Sequence, residues 1–131
     1  MNRRLLAAAS LILLIAVILG AFGAHGLKPK VSTEALAQWH TGVEYQFYHG
    51  LGLLLLAALV ERIPDKVAMR IAVCFILGVV LFSGSLYLLS TRELNGMPGA
   101  VLGPITPLGG LCFIVGWTLL LINALRSSPT R

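Results

Sequence analysis

The residues of this chain that could carry chemistry are concentrated in the stretch TGVEYQFYHG, positions 41–50. It holds a carboxylate, an imidazole and two phenols, which together could bind a proton, a cation or a small polar ligand. On a helix, His40, Glu44 and Tyr48 share one face, and Tyr45 and His49 share another, about 140° from Glu44. One helix therefore cannot bring Glu44 and His49 to a single metal ion, and we expect no metal site.

Other polar side chains lie near the ends of neighbouring apolar segments, namely His25, Ser83, Ser85, Tyr87 and Thr106. Paired histidines from different helices, here His25 and His49, can hold haem. A lone histidine at a helix end is more often structural, so we expect no cofactor. The two serines flank a glycine, but no GxSxG motif or paired base accompanies them. We therefore expect that the chain is not an enzyme.

The composition indicates that the segments carrying these residues are surrounded by lipid. The 131-residue chain is 57% hydrophobic and only 11% charged, with a mean hydropathy of +0.89, whereas soluble domains carry about 25% charged residues. We predict an all-α integral membrane protein, a four-transmembrane-helix bundle formed by one membrane domain over residues 1–131. The predicted spans are 5–24, 42–60, 69–89 and 106–125.

The limits of the first two spans decide which residues enter the membrane. The first apolar run is longer than a signal-peptide core, so we expect it to be retained. The apolar run Leu51 to Val60 is too short to cross the membrane. The second span must therefore begin near Gly42, which places Glu44 within the membrane. Before it, Val31 to Thr41 is predicted to form a short interfacial helix, capped by Ser32 or Thr33 and bent at Gly42.

Lysine and arginine positions predict the orientation of the chain. Seven lie on the side of the termini and three on the other side, which places both termini in the cytoplasm. The seven are Arg3, Arg4, Arg62, Lys66, Arg70, Arg126 and Arg131; the three are Lys28, Lys30 and Arg92. These short clusters between apolar runs account for the net charge of +5 without a nucleic-acid partner.

With this topology, the polar residues of all four spans meet in the outer half of the membrane. His49 is predicted about 10 Å inside the outer boundary, since it follows Gly42 by seven residues. The cluster is either a ligand site or a hydrogen-bonded clasp between helix ends, and we favour the clasp. Glu44 is predicted to dock the second span against the fourth or the third, because a buried carboxylate needs donors.

Small residues and cysteines give two further expectations. Gly20, Gly23 and Gly26 recur every three residues and, with Gly84, Gly109 and Gly110, are predicted to let helices pack closely. Cys74 and Cys112 have no CxxC partner. Counted from the predicted span ends, their depths differ by roughly 15 Å, which excludes a disulfide between them.

Four stretches in order resemble one family. They are GAFGAHGLK (20–28), TGVEYQFYHGLGLLL (41–55), LFSGSLYLL (81–89) and LGPITPLGGLCFIVGW (102–117). They resemble the YgdD-like family of small membrane proteins, domain of unknown function 423, to which animal transmembrane protein 256 is similar. The resemblance implies four membrane helices in a bacterial inner membrane, and it carries no established activity.

We therefore expect a non-enzymatic scaffold or partner-binding subunit of the bacterial inner membrane. Its expected partners are the lipid bilayer and other membrane proteins or further copies of the chain. The alternative is a small transporter or channel subunit that uses the cluster around Glu44 and His49. The first predicted span carries no acid and Glu44 lies near a membrane edge, which argues against a proton-coupled exporter.

Overall fold

The computed structural model describes residues 2–126, and almost all of them are helical. Four of the helices in this part of the chain are long and apolar enough to cross a membrane. They are span one (Arg3–Leu27), span two (Thr33–Arg62), span three (Asp65–Ser90) and span four (Gly99–Arg126). The predicted all-α chain with four membrane helices is confirmed.

Local sequence accounts for where the first helices begin. The Asn2 side chain accepts hydrogen bonds from the backbone N–H groups of Arg4 and Leu5. The Ser32 hydroxyl accepts from the N–H of Ala35 at 3.2 Å. Each oxygen satisfies a donor that has no partner within the first turn of its helix. Of the two caps predicted for the helix at 31–41, Ser32 is the one used, and it caps span two.

Span two is longer than predicted and continuous. Its α-helix covers Thr33–Leu59 and ends in a 3₁₀ turn at Val60–Arg62. The predicted short interfacial helix at 31–41 is not a separate element, and the helix passes Gly42 without a break. The physical reason is that Trp39 is buried with Leu27 in an apolar cluster. Trp39 therefore packs this stretch against the end of span one, while most of its other side chains are exposed or half-buried.

The other spans contain irregular turns in their helices. Span one consists of an α-helix at Arg3–Phe22 and a π-helical turn at Gly23–Leu27. Span three consists of α-helix Asp65–Gly78, π-helical turn Val79–Ser83 and α-helix Gly84–Ser90. Span four consists of a helical turn at Gly99–Leu102 and the α-helix Ile105–Arg126. Spans three and four are connected by the short helix Arg92–Asn95, which ends at Gly96 in the left-handed region at φ +70°.

Thr106 and the stretch before it differ from the prediction. The sequence predicts a non-helical stretch up to a cap at Thr106. Instead, Gly99–Leu102 is helical and Thr106 lies inside the α-helix that begins at Ile105. Pro98 precedes the first turn and Pro107 lies near the start of the main helix, where a missing N–H costs no hydrogen bond.

The spans run up and down and pack mainly in chain order: one against two, two against three, and three against four. We call the end at residues 2, 63–64 and 126 the terminal end, and the end at residues 28–32 and 91–98 the distal end. In the apolar part of span one, and likewise of span four, 17% of the residues are buried, whereas the fractions in spans two and three are 44% and 39%. The outer two spans therefore form the edges of the arrangement.

Two of the predicted packing glycines lie at close approaches between spans. A Cβ atom on Gly23 would stand 2.6 Å from the indole ring of Trp39. A Cβ atom on Gly109 would overlap the backbone of Phe82, so spans three and four touch there backbone to backbone. At both positions the missing side chain allows the close approach of two spans.

The other four predicted packing glycines are less constrained. Gly20 and Gly110 would make ordinary contacts, at 3.5 and 3.8 Å, and Gly26 faces the ring of Phe22 in its own span. A Cβ atom on Gly84 would meet nothing within 4 Å, so its predicted packing role is wrong. The π-helical turn before it adds a residue and rotates Gly84 away from the neighbouring spans.

The predicted depth difference between the two cysteines is also wrong. Cys74 packs opposite Gly116, where a Cβ atom would stand 3.2 Å from that of Cys74. Cys112 lies one turn from Gly116 on the same helix, so the axial offset is about 6 Å. The prediction failed because span three begins at Asp65, which moves Cys74 deeper. Both thiols are free in the structure.

Candidate functional site

Trp39 joins spans one, two and three at the distal end. Its indole N–H donates to the carbonyl of Leu19 at 2.9 Å. The ring lies over Gly23, 5.6 Å from the ring of Phe22 and 4.6 Å from the ring of Tyr87, measured between centroids. The absence of a side chain at Gly23 provides the space for the indole.

Gln46 connects the same three spans two turns further into the membrane. Only 4% of it is exposed. Its Nε2 donates to the carbonyl of Ile12 at 2.9 Å, and its Oε1 accepts from the hydroxyl of Tyr87 at 2.7 Å. One amide thus uses its donor and its acceptor on two different spans. We call Trp39, Gln46 and Tyr87 the distal clasp.

His49 follows Gln46 by one turn of span two and faces span four. Its Nδ1 is 2.7 Å from the carbonyl of Tyr45, and its Nε2 accepts from the indole N–H of Trp117 at 3.1 Å. A neutral imidazole with its proton on Nδ1 satisfies both contacts. The ring also stacks on Phe113, with 3.4 Å between centroids. Both ring nitrogens are therefore occupied, and neither is free to bind a metal.

The position of His49 along span two follows from the bounds of the helix. His49 is sixteen residues from Thr33 and thirteen from Arg62, which corresponds to about 24 and 20 Å along the helix. It is therefore close to the middle of the span. The predicted depth of about 10 Å inside the outer boundary, counted from Gly42, stays a prediction.

Span three is joined to span four by a pair of hydroxyls. The Oγ of Ser85 donates to the carbonyl of Phe82 at 2.9 Å and lies 2.6 Å from Oγ1 of Thr106. Since Ser85 uses its proton on the carbonyl, Thr106 is the donor between them. Ser83 is fully buried, and within residues 2–126 its Oγ has no hydrogen-bond partner.

Glu44 and His25 do not join the predicted cluster. Glu44 is exposed, and no residue of the described chain pairs with it, so the predicted docking against span three or four is wrong. The physical reason is rotation: Gln46 and Val43 occupy the buried faces of span two. His25 is exposed at the distal end with Nδ1 3.1 Å from the carbonyl of Ala21, far from His49.

An open groove of about 580 Å³ separates spans two and four. These spans are not neighbours in the packing order, and the His49 ring bridges them through its contacts with Trp117 and Phe113. Five of the groove residues are aromatic, and His49 lies among them. The lining is Tyr45, Tyr48, His49, Phe82, Gly110, Phe113, Ile114, Trp117 and Thr118. We call this the aromatic groove.

The two tyrosines are exposed polar residues of the aromatic groove. Tyr45 and Tyr48 contact each other edge to face, with centroids 5.8 Å apart. Tyr45 also packs on Phe82 at 4.5 Å. Neither hydroxyl has a hydrogen-bond partner in the part of the chain that the structure describes. These two phenols are therefore available to a molecule that enters the groove.

Comparison with known proteins agrees with this architecture. The family model described as protein of unknown function (DUF423) matches residues 19–110. The chain belongs to the DUF423 family. The resemblance seen in the four sequence stretches is thereby confirmed, and the distal clasp lies wholly inside the matched region of this DUF423 protein.

Curated relatives of this DUF423 protein are named as membrane proteins. The UPF0382 membrane protein YwdK of Bacillus subtilis is 45% identical over 114 residues, which cover 86% of this chain and 89% of YwdK. The UPF0382 inner membrane protein YgdD of Escherichia coli K12 is 40% identical over 112 residues, 86% of this chain and 82% of YgdD. No solved structure matches the chain significantly. With its four apolar helices, this DUF423 protein is a multi-pass membrane protein.

Sequence reasoning missed the residues that do most of the joining in this DUF423 protein. Gln46 and Trp39 were not among the predicted cluster, and Trp117 and Phe113 were not predicted to contact His49. One sequence feature points to Gln46, because an amide inside a membrane span needs partners on other helices. The positions of the aromatic rings depend on the lateral order of the spans, which the sequence does not specify.

Proposed function

We propose that this DUF423 protein is a non-enzymatic subunit of the bacterial inner membrane that binds a transmembrane helix of a partner protein in the aromatic groove. The observation that carries the proposal is the open gap between spans two and four. It is lined by aromatic rings and carries the two unpaired phenols of Tyr45 and Tyr48. Tyrosine is enriched where proteins bind one another, since it offers apolar area and a hydroxyl.

The shape of one wall supports a helix as the occupant. Gly110, Ile114 and Thr118 recur every four residues on span four, so they form one straight line along the groove. Two of the three are small, and small residues in such a line allow another helix to approach closely. A hydroxyl of Tyr45 or Tyr48 can then bond a polar group on the incoming helix.

The internal pairing of the polar residues supports a binding subunit over a transporter. Gln46, His49, Ser85 and Thr106 use their polar atoms in bonds within the chain. A carrier must exchange such bonds for bonds to its cargo during each cycle. A protein that serves as a fixed binding surface benefits from a rigid interior.

Photo-crosslinking from the aromatic groove tests the proposed function. A photoreactive residue at Ile114, irradiated in native membranes, is expected to give one discrete protein adduct. The same residue at Leu14, an exposed position of span one, serves as the control and is expected to give lipid adducts. A second substitution, Gly110→Leu, fills the groove and is expected to remove the Ile114 adduct.

Two outcomes would reject the partner helix. One is lipid adducts alone from Ile114, as from Leu14. The other is a protein adduct that persists unchanged after Gly110→Leu in a protein that still migrates as a folded monodisperse species. Mass spectrometry of the adduct identifies the partner, including a second copy of the chain.

The proposal places both chain termini in the cytoplasm. The seven basic residues on the terminal side and the three on the other side support this orientation. A reporter fused after Arg131 is expected to show cytoplasmic activity, and one inserted near Arg92 periplasmic activity. A periplasmic signal from the C-terminal fusion would contradict the proposed orientation.

A further inference from the structure

A second groove lies in the terminal half of the protein, between spans three and four. It has a volume of about 380 Å³. Span three contributes Met69, Arg70, Val73 and Cys74, and span four contributes Val115 and Leu119. Apart from Arg70 the lining is apolar. We call this the terminal groove; it shares no residue with the aromatic groove.

Unpaired cations surround the mouth of the terminal groove. Arg70 and Lys66 are one turn apart on the same face of span three, and both are exposed. Arg126 follows Leu119 by seven residues, so it lies two turns further toward the terminal end on the same face of span four. Within the described chain none of the three has an ion-pair partner.

The acidic groups nearby do not neutralise this mouth. Asp65 begins span three and is exposed, but it lies about 140° around the helix from Arg70. Glu61 is at the end of span two and has an interaction of its own. The mouth therefore carries a net positive charge above an apolar channel.

We propose that the terminal groove binds an anionic phospholipid. One acyl chain lies along Val73, Cys74, Val115 and Leu119, and the phosphate contacts Arg70 and Lys66. Charge complementarity favours this occupant, since arginine binds phosphate through paired N–H groups and lysine adds a point charge. Basic pockets between transmembrane helices near a membrane surface bind acidic lipid headgroups.

Lipid retention by the purified full-length protein tests the headgroup preference. The protein in detergent is mixed with phosphatidylglycerol or with phosphatidylcholine of the same acyl chains, and bound lipid is counted by native mass spectrometry. Phosphatidylglycerol is expected to be retained at least about fivefold more, the factor typical of one basic residue near a lipid surface. Equal retention of the two lipids by the wild-type protein would overturn the proposal.

Three variants assign the retention to Arg70. Arg70→Gln is expected to lower phosphatidylglycerol retention about fivefold, and Arg70→Lys, which keeps the charge, to lower it less. Lys30→Gln at the distal end is the matched control and is expected to leave retention unchanged. Loss of retention in Lys30→Gln equal to that in Arg70→Gln, or none in a folded Arg70→Gln protein, would overturn the proposal.

A photoreactive acyl chain locates the lipid without any substitution. Phosphatidylglycerol that carries such a chain is expected to label Val73, Cys74, Val115 or Leu119 in preference to Leu14 and Val17. The last two are 57% exposed on span one and represent ordinary lipid contact. Labelling spread evenly over both sets of residues would reject a specific site, and this result holds even if the Arg70 variants fail to fold.

Discussion

Replacing Gly109 by alanine is expected to force spans three and four apart. The added Cβ atom would overlap the backbone of Phe82, including its Cα atom at 2.8 Å. A flexible side chain could rotate away, but a backbone atom within a helix cannot move without shifting the whole span. Overpacking typically costs about 1–3 kcal/mol, and contact with a fixed backbone places this variant at or above the upper end. Thermal unfolding in detergent measures the loss.

The adjacent residue provides a matched control for this prediction. An alanine Cβ at Gly110 would lie 3.8 Å from the ring of Phe82, an ordinary contact. At Gly84 it would meet nothing within 4 Å. Both alanine variants are expected to be at least as stable as wild type, because alanine gains roughly 0.5–1 kcal/mol over glycine within a helix. Equal stability of the Gly109 and Gly110 variants would contradict the backbone contact.

The two glycines also show how far the sequence predicts the packing. A pair of glycines near the start of span four indicates close helix packing, and in the structure Gly109 lies against the backbone of Phe82. Which of the two meets the neighbouring backbone depends on the rotation of span four, which adjacent glycines do not reveal. The π-helical turn at Val79–Ser83 has the same effect on span three, since it rotates Gly84 away from its predicted contact.

The number of spans was predictable because it follows from hydropathy. The hydrogen-bond partners of the polar residues were not predictable. The requirement for about twenty apolar residues correctly placed Glu44, Gln46 and His49 within a membrane helix. The same requirement predicted that span two starts at Gly42. That prediction holds only if the helix is no longer than the thickness of the membrane. Burial of Trp39 extends the helix, and it is Gln46 that faces the neighbouring spans, with Glu44 on the outside.

Replacing Trp39 by alanine is expected to cause the second large loss of stability. The side chain is 95% buried, donates a hydrogen bond to the Leu19 carbonyl and contacts the rings of Phe22 and Tyr87. Truncation of a buried tryptophan costs about 3–5 kcal/mol, and glycine at position 23 cannot fill the resulting void. Trp39→Phe keeps an aromatic ring and is expected to lose less, since the single lost hydrogen bond is worth about 1 kcal/mol.

A double substitution tests whether the loss arises at the contact between Trp39 and Gly23. In the wild type, Gly23→Leu places a side chain against the indole, where even a Cβ atom would stand at 2.6 Å, and it is expected to be destabilising. In the Trp39→Ala background the same leucine enters the vacated space. The double variant is therefore expected to be more stable than the sum of the two single losses, by about 1–3 kcal/mol, as measured by thermal unfolding in detergent. Additive losses would mean that Trp39 stabilises the protein through other contacts.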